Sequence, residues 1–248
     1  RNAETGIKWD LFDERVLLNA SWFSIRQSNL LVPDPVNRRF QVAIPGQLGQ
    51  GIDVNLTGNP IPGLSLSAAF TRLQEAGAFL GVRSLDRGDL GAGTASNGVT
   101  IAGDATVGSG LSLFASGTLA TSASRGDAAL QVGDTVSSAF QLGVAKQAVL
   151  GGADRLRLSL AQPLTMERGT MRYSERAVID RETGEIGMIT REVGIVAPGG
   201  RRMLAEAIYG TDMADGRGSA SLFTSAELRE HDPDMPAWTV GGNVRWGF

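Results

Sequence analysis

The one histidine, His231, stands next to Asp232-Pro233-Asp234, and the chain contains no cysteine. Thiol catalysis, thiolate metal sites and disulfide scaffolds are therefore excluded, and a His-based triad or zinc site lacks its ligands. A lone histidine beside two loop acids reads as a solvated turn. A second cluster sets Glu175, Asp180, Glu182 and Glu185 among Arg172, Arg176 and Arg181. Its plain reading is a mixed-charge hairpin with a tip at 180–185; the sharper one is a ligand-contacting outer loop. The glycines of Gly46-Gln47-Leu48-Gly49-Gln50-Gly51 have the wrong spacing to cradle a phosphate and read as loop. No nucleophile elbow, Walker A, zinc-protease or dinucleotide motif occurs. Catalysis needs a nucleophile, a base and an orienting group within reach. The sequence offers no such set, and no catalytic, cofactor-binding or metal-binding residue is assigned from it. The expectation is a non-enzyme without a cofactor.

The elements that would position any loop chemistry are strands. The chain has 248 residues, with 23 basic and 26 acidic side chains for a net charge of −3. That balance excludes a polycationic nucleic-acid binder. No apolar run reaches the length of a membrane-spanning helix. Helical period is scarce and period 2 is widespread. Ile52, Val54 and Leu56 alternate with Asp53, Asn55 and Thr57; Leu156, Leu158 and Leu160 alternate with Arg155, Arg157 and Ser159. Strands are expected at 4–12, 15–26, 39–45, 50–58, 64–73, 98–107, 111–121, 136–147, 154–164, 186–196, 201–210, 219–228 and 237–248. Tight turns fall at Asp13-Glu14, Asn59–Gly63 and Gly108–Gly110, and alternate with polar stretches at 76–98, 121–135 and 229–236.

Strands of a soluble sandwich usually run five or six residues. Many of these reach the nine to eleven or so that a tilted strand needs to cross a bilayer. Short turns alternating with long loops, and aromatics near strand ends (Trp9, Trp22, Tyr209, Trp238, Trp246), fit an outer-membrane barrel. Asp53, Asp104, Arg155, Arg157 and Arg245 would then face a wet lumen. The fold expected is an all-β, antiparallel transmembrane β-barrel of about 12 strands, or the C-terminal part of a larger one. A soluble all-β binding module is the weaker alternative. The last stretch places Val240, Gly242, Val244, Trp246 and Phe248 on alternate positions. It looks like the terminal-strand signal that outer-membrane barrels present to their assembly machinery. Such a strand keeps one apolar, edge-pairing face exposed until the barrel closes.

Residues 4–73 resemble part of the barrel of TonB-dependent siderophore receptors. The likeness is carried by Glu4–Lys8, Leu11–Arg15, Leu18–Ser21, Ile25–Asn29, Val32–Pro35, Gly49–Val54 and Pro62–Leu66. After Leu73 this pattern stops. Residues 98–248 look like the C-terminal barrel of subtilisin-like autotransporter proteases, through Asp154–Leu164 and the strand at Gly200-Arg201-Arg202. The Gly/Ala/Asp-rich segment 74–97 reads as a loop or a seam between the two pieces. Both resemblances imply the bacterial outer membrane, with its lipid and the barrel-assembly machinery as partners. The first adds a ferric siderophore as ligand; the second adds a protease passenger. Neither a plug with its energy-coupling motif nor a protease domain is read in the chain. It starts at Arg1 without a Met or signal peptide, and so reads as a fragment or a processed chain.

Overall fold

The protein is described from a computed structural model covering residues 1–27, 30–33, 40–44, 47–79, 82–83, 90–196, 200–213, 217–229 and 237–246. The first half holds β1 (Asn2–Leu11), β2 (Val16–Gln27), β3 (Leu30–Pro33), β4 (Gln41–Ile44), β5 (Gln47–Ile61), β6 (Leu64–Glu75), β7 (Ala78–Phe79), β8 (Val82–Arg83) and β9 (Thr94–Gly108). The second half holds β10 (Leu111–Ser124), β11 (Leu130–Val132), β12 (Thr135–Gln147), β13 (Asp154–Arg168), β14 (Thr170–Val178), β15 (Ile186–Gly194), β16 (Arg202–Met213), β17 (Gly218–Arg229) and β18 (Ala237–Trp246). The expectation of an all-β, antiparallel fold is met. Among the described residues no helix is long and apolar enough to cross a membrane, which leaves spanning by strands open.

Eleven strands make one antiparallel sheet in the order β1-β2-β5-β6-β9-β10-β12-β13-β16-β17-β18. Its connections alternate. Residues 12–15, 62–63, 109–110 and 148–153 join neighbours tightly at one end, where β16 also gives way to β17. β2 gives way to β5, β6 to β9, β10 to β12, β13 to β16 and β17 to β18 at the other, mostly with longer stretches of sequence between. The remaining strands lie within these long loops: β3 pairs β4, β7 pairs β8, and β14 pairs β11 and β15. The tight turns are sterically demanding. Phe12, Asp13 and Glu14 all take positive φ, as do Gly63, Gly108 and Gly110.

The register sorts side chains onto two faces. One row runs Asn19, Asn55, Ala69, Thr100, Thr118 and Ala139 through paired positions. The adjacent row on the other face runs Leu18, Leu56, Ala68, Ile101, Gly117 and Phe140. Ile101, Leu119, Leu142, Leu222 and Val240 all belong to the second face, and all are more than half exposed. Buried apolar residues among those described are only Ala78, Leu90, Val132 and Ala226. Among the described residues no second sheet covers the apolar face, so the sheet there has no sandwich core and its greasy surface is exposed.

Two expectations need correction. Within the expected strands 39–45 and 186–196, Gln41–Ile44 and Ile186–Gly194 are strands, but they belong to loop hairpins and not to the main sheet. Period 2 marks a strand without saying which partner it finds, and both have a partner within the same loop. Nor, among the described residues, does the sheet close as a barrel of about 12 strands: there β1 pairs only with β2, and β18 only with β17. Both edge strands run from the loop end to the turn end, so joining them directly would make a parallel pair. Antiparallel closure takes an odd number of further strands, in line with the larger-barrel form of the expectation. β6 and β9, on either side of residues 76–93, pair continuously from Leu64↔Ala105 to Glu75↔Thr94.

Candidate functional site

The polar face gathers hydrogen-bonded and charged side chains. Asp53 lies on it, midway along β5. Asn55 Nδ2 donates to Asp53 Oδ2 at 2.8 Å, and the Thr71 hydroxyl donates to Oδ1 at 2.7 Å. Hydroxyl pairs bridge the neighbouring strands, Ser96 with Ser122 at 2.7 Å and Thr100 with Thr118 at 2.9 Å. Such cross-strand bonds satisfy polar groups without helping a solvent-facing surface collapse. Further along, Ser159 donates to Glu206 Oε2 at 3.4 Å. Asp53, Asp104, Arg155, Arg157 and Arg245 share this face through the pairings Ser65↔Asp104↔Phe114↔Gly143, Ala145↔Arg157 and Ser219↔Arg245.

Aromatic rings on this face lie over glycines in the next strand. A Cβ on Gly51 would approach Phe23 Cζ at 2.4 Å; on Gly143, Phe114 Cζ at 2.1 Å; on Gly241, Phe223 Cζ at 2.3 Å. Each pair is directly opposite in register. The glycine leaves room for the ring to lie flat, an arrangement known to fix register in sheets. Over Phe114 in turn sits the Arg157 guanidinium, 4.4 Å from the ring centroid. The glycine-rich stretch at 46–51 is corrected by this. Residues 47–51 are strand and not loop, and Gly51 is small because Phe23 covers it. Gly46 lies outside the described residues.

Cavities open along the turn end of the sheet. One, of about 630 Å³, reaches from Glu14 and Arg15 to Asp104 and Gln141. Two more, of about 590 and 460 Å³, share Arg155 and Arg157 in their walls. The rim beside them is built by Asp154, which accepts from the amides of Val149, Leu150 and Gly151 at 2.9, 2.7 and 3.3 Å and from the Tyr209 hydroxyl at 2.9 Å. This carboxylate clamps the β12–β13 turn to β16.

The aromatics expected near strand ends sit on the apolar face in two belts. Trp9, Tyr209 and Trp246 lie toward the turn end; Trp22 and Trp238 lie toward the loop end. Val240, Gly242, Val244 and Trp246 occupy alternate positions on that same face, opposite Thr224, Leu222, Ala220 and Gly218. Phe248 lies outside the described residues, as do His231, Asp232 and Asp234. The charged cluster at 172–185 is the β14–β15 hairpin. Arg172 pairs with Glu192 at 3.1 Å, and Arg191 with Glu175 at 3.0 Å, both exposed. At its tip Asp180 Oδ1 accepts from the amides of Glu182 at 2.7 Å and Thr183 at 3.3 Å. The Glu182 amide first, then Thr183, holds this carboxyl below the usual aspartate range. Among the described residues no cluster of three or more acids or histidines is arranged to hold a metal ion.

The ring-on-glycine pairs and the Asp154 clamp are features that sequence reasoning missed. Both depend on which strand lies next door. The only trace in the sequence is the presence of glycines at polar-face positions inside strands.

No curated protein matches the chain. Among solved structures it is similar to the crystal structure of the Pseudomonas putida toluene transporter TodX, at 12% identity and a TM-score of 0.42, over 97% of this chain and 72% of that one. A family model, described as TonB dependent receptor-like, β-barrel, matches residues 1–152. The match extends well past Leu73, where residue-by-residue likeness fades, and takes in the segment 74–97 and the three main-sheet strands after it. The chain belongs to the TonB dependent receptor-like β-barrel family.

Proposed function

We propose that the chain is a section of barrel wall in the bacterial outer membrane, belonging to a receptor that takes up ferric siderophores. The observation that carries this reading is the two-faced single sheet of a receptor-family chain. Exposed Ile101, Leu119, Leu142, Leu222 and Val240 would meet lipid, and the opposite face would line a wet lumen. The two aromatic belts would sit at the two interfaces. The division into receptor-like strands at 1–73, a loop or seam at 74–97 and C-terminal barrel strands at 98–248 is part of the proposal. So is the role of Val240, Gly242, Val244, Trp246 and Phe248 as the signal read by the barrel-assembly machinery. A second reading, the translocator barrel of an autotransporter, draws on residues 98–248, of which 153–248 lie beyond the family match.

The siderophore reading is tested with the full chain refolded in detergent. Ferric hydroxamate, catecholate and carboxylate chelates are titrated while tryptophan fluorescence is followed. Saturable quenching by one class, absent with the iron-free chelator, is expected. Failure of all three classes would overturn the siderophore assignment and leave the barrel-wall role to be tested by fractionation of cell envelopes.

A further inference from the structure

Arg155 and Arg157 are adjacent positions of one face, two residues apart in β13, so their Cα atoms are separated by roughly 6.6–6.8 Å. Both are exposed, and neither forms an ion pair with a carboxylate among the described residues. The surroundings of Arg157 hold it in place. Gly143 lets the Phe114 ring lie across its backbone, and Phe114 supports the Arg157 guanidinium face-on at 4.4 Å. Stacking of this kind fixes the plane of a guanidinium and leaves its N–H edge free to donate. The two arginines line both adjoining cavities. In the one of about 460 Å³ they outnumber the single carboxylate, Asp104. Four other arginines are already engaged: Arg172, Arg191, Arg201 and Arg202 each pair with a glutamate. Arg155 and Arg157 differ from these four in having no carboxylate partner among the described residues, and Arg157 is in addition oriented by Phe114.

We propose that Arg155 and Arg157 form an oxyanion-binding subsite at the turn end of the polar face, taking a compact multivalent oxyanion, either a phosphate or a polycarboxylate. Arg157 presents its preoriented edge to one oxygen pair, and Arg155 contributes the second set of donors. Phe114 acts as a positioning residue. Asp104 opposes binding by like charge and limits the site to ligands that keep clear of it. The inference rests on the polar face alone and is independent of which chelate, if any, the loops select.

The test uses the full chain in detergent micelles, with arginine Nε–H resonances followed during titration with inorganic phosphate or citrate at matched ionic strength in chloride. Saturable shifts confined to two resonances, those missing from Arg155→Gln and Arg157→Gln, are expected. Affinity should fall at least about tenfold in either variant. Phe114→Leu, which keeps both charges, should weaken binding several-fold, and Asp104→Asn should tighten it. Phosphate and citrate arms distinguish the two ligand chemistries. Uniform, non-saturating shifts at all exposed arginines, or saturable binding that survives in the Arg155→Gln/Arg157→Gln double variant, would overturn the subsite. Heat-modifiability on gels confirms that each variant is folded.

Discussion

Asp180 shows how a loop carboxylate becomes a local pH switch. Its folded-state ionisation lies below the ordinary aspartate range, because the amides of Glu182 and Thr183 prefer the charged form. A lowered value means the tip is fully supported above the ordinary aspartate range and loses that support as the pH falls through the folded value. The Glu182 amide resonance should therefore titrate with a midpoint below that of an unstructured aspartate, and Asp180→Asn should abolish the titration. A midpoint at or above the unstructured value would contradict the capping. At the opposite end, Glu14 carries a left-handed φ of 65° that a Cβ disfavours. Glu14→Gly should stabilise the β1–β2 turn by about 1 kcal/mol, read as a shift in urea midpoint with an unchanged slope. The sequence showed a turn at Asp13-Glu14; nothing in it indicated that Phe12, Asp13 and Glu14 would all be left-handed, since none is glycine.

The strands were legible because alternation is a local property. Asp53 against Val54, and Arg157 against Leu158, are assigned to faces by spacing alone, and the register bears that out. Partners were not legible, because pairing joins residues far apart in the chain. Phe114 meets Gly143, and Phe23 meets Gly51, only once β10 lies beside β12 and β2 beside β5. The same limit hid the loop-borne status of 39–45 and 186–196. Two substitution pairs test the element-level reading. Ile101→Arg, at the middle of β9 on the apolar face, should destabilise the folded protein in lipid by roughly 2–4 kcal/mol. Thr100→Arg, one residue away, should be far milder. Equal losses in denaturant unfolding from vesicles would refute the faces. Gly51→Ala should cost about 1–3 kcal/mol, as its methyl would meet Phe23 and the Arg72 carbonyl at 2.4 and 2.2 Å. Phe23→Leu in the same background should restore part of that loss.

The molecule as a whole is built with its apolar surface outside. A soluble domain of this length normally buries most of its large apolar side chains. Here Leu119, Leu222, Val240 and Val244 remain more than half exposed. The folded state should accordingly need detergent or lipid. Strand-rich circular dichroism and a heat-modifiable gel band are expected in micelles, and a monomeric, soluble, folded species in plain buffer would contradict this. The odd strand count carries one more consequence. With eleven strands in alternating directions, Arg1 stands at the loop end and Trp246 at the turn end. With the sheet spanning the outer membrane as proposed, two epitopes, one placed beside Arg1 and one beside Trp246, would report on different compartments. In intact cells displaying the protein, an antibody would reach the first from the medium, while the second would stay hidden until the envelope is permeabilised.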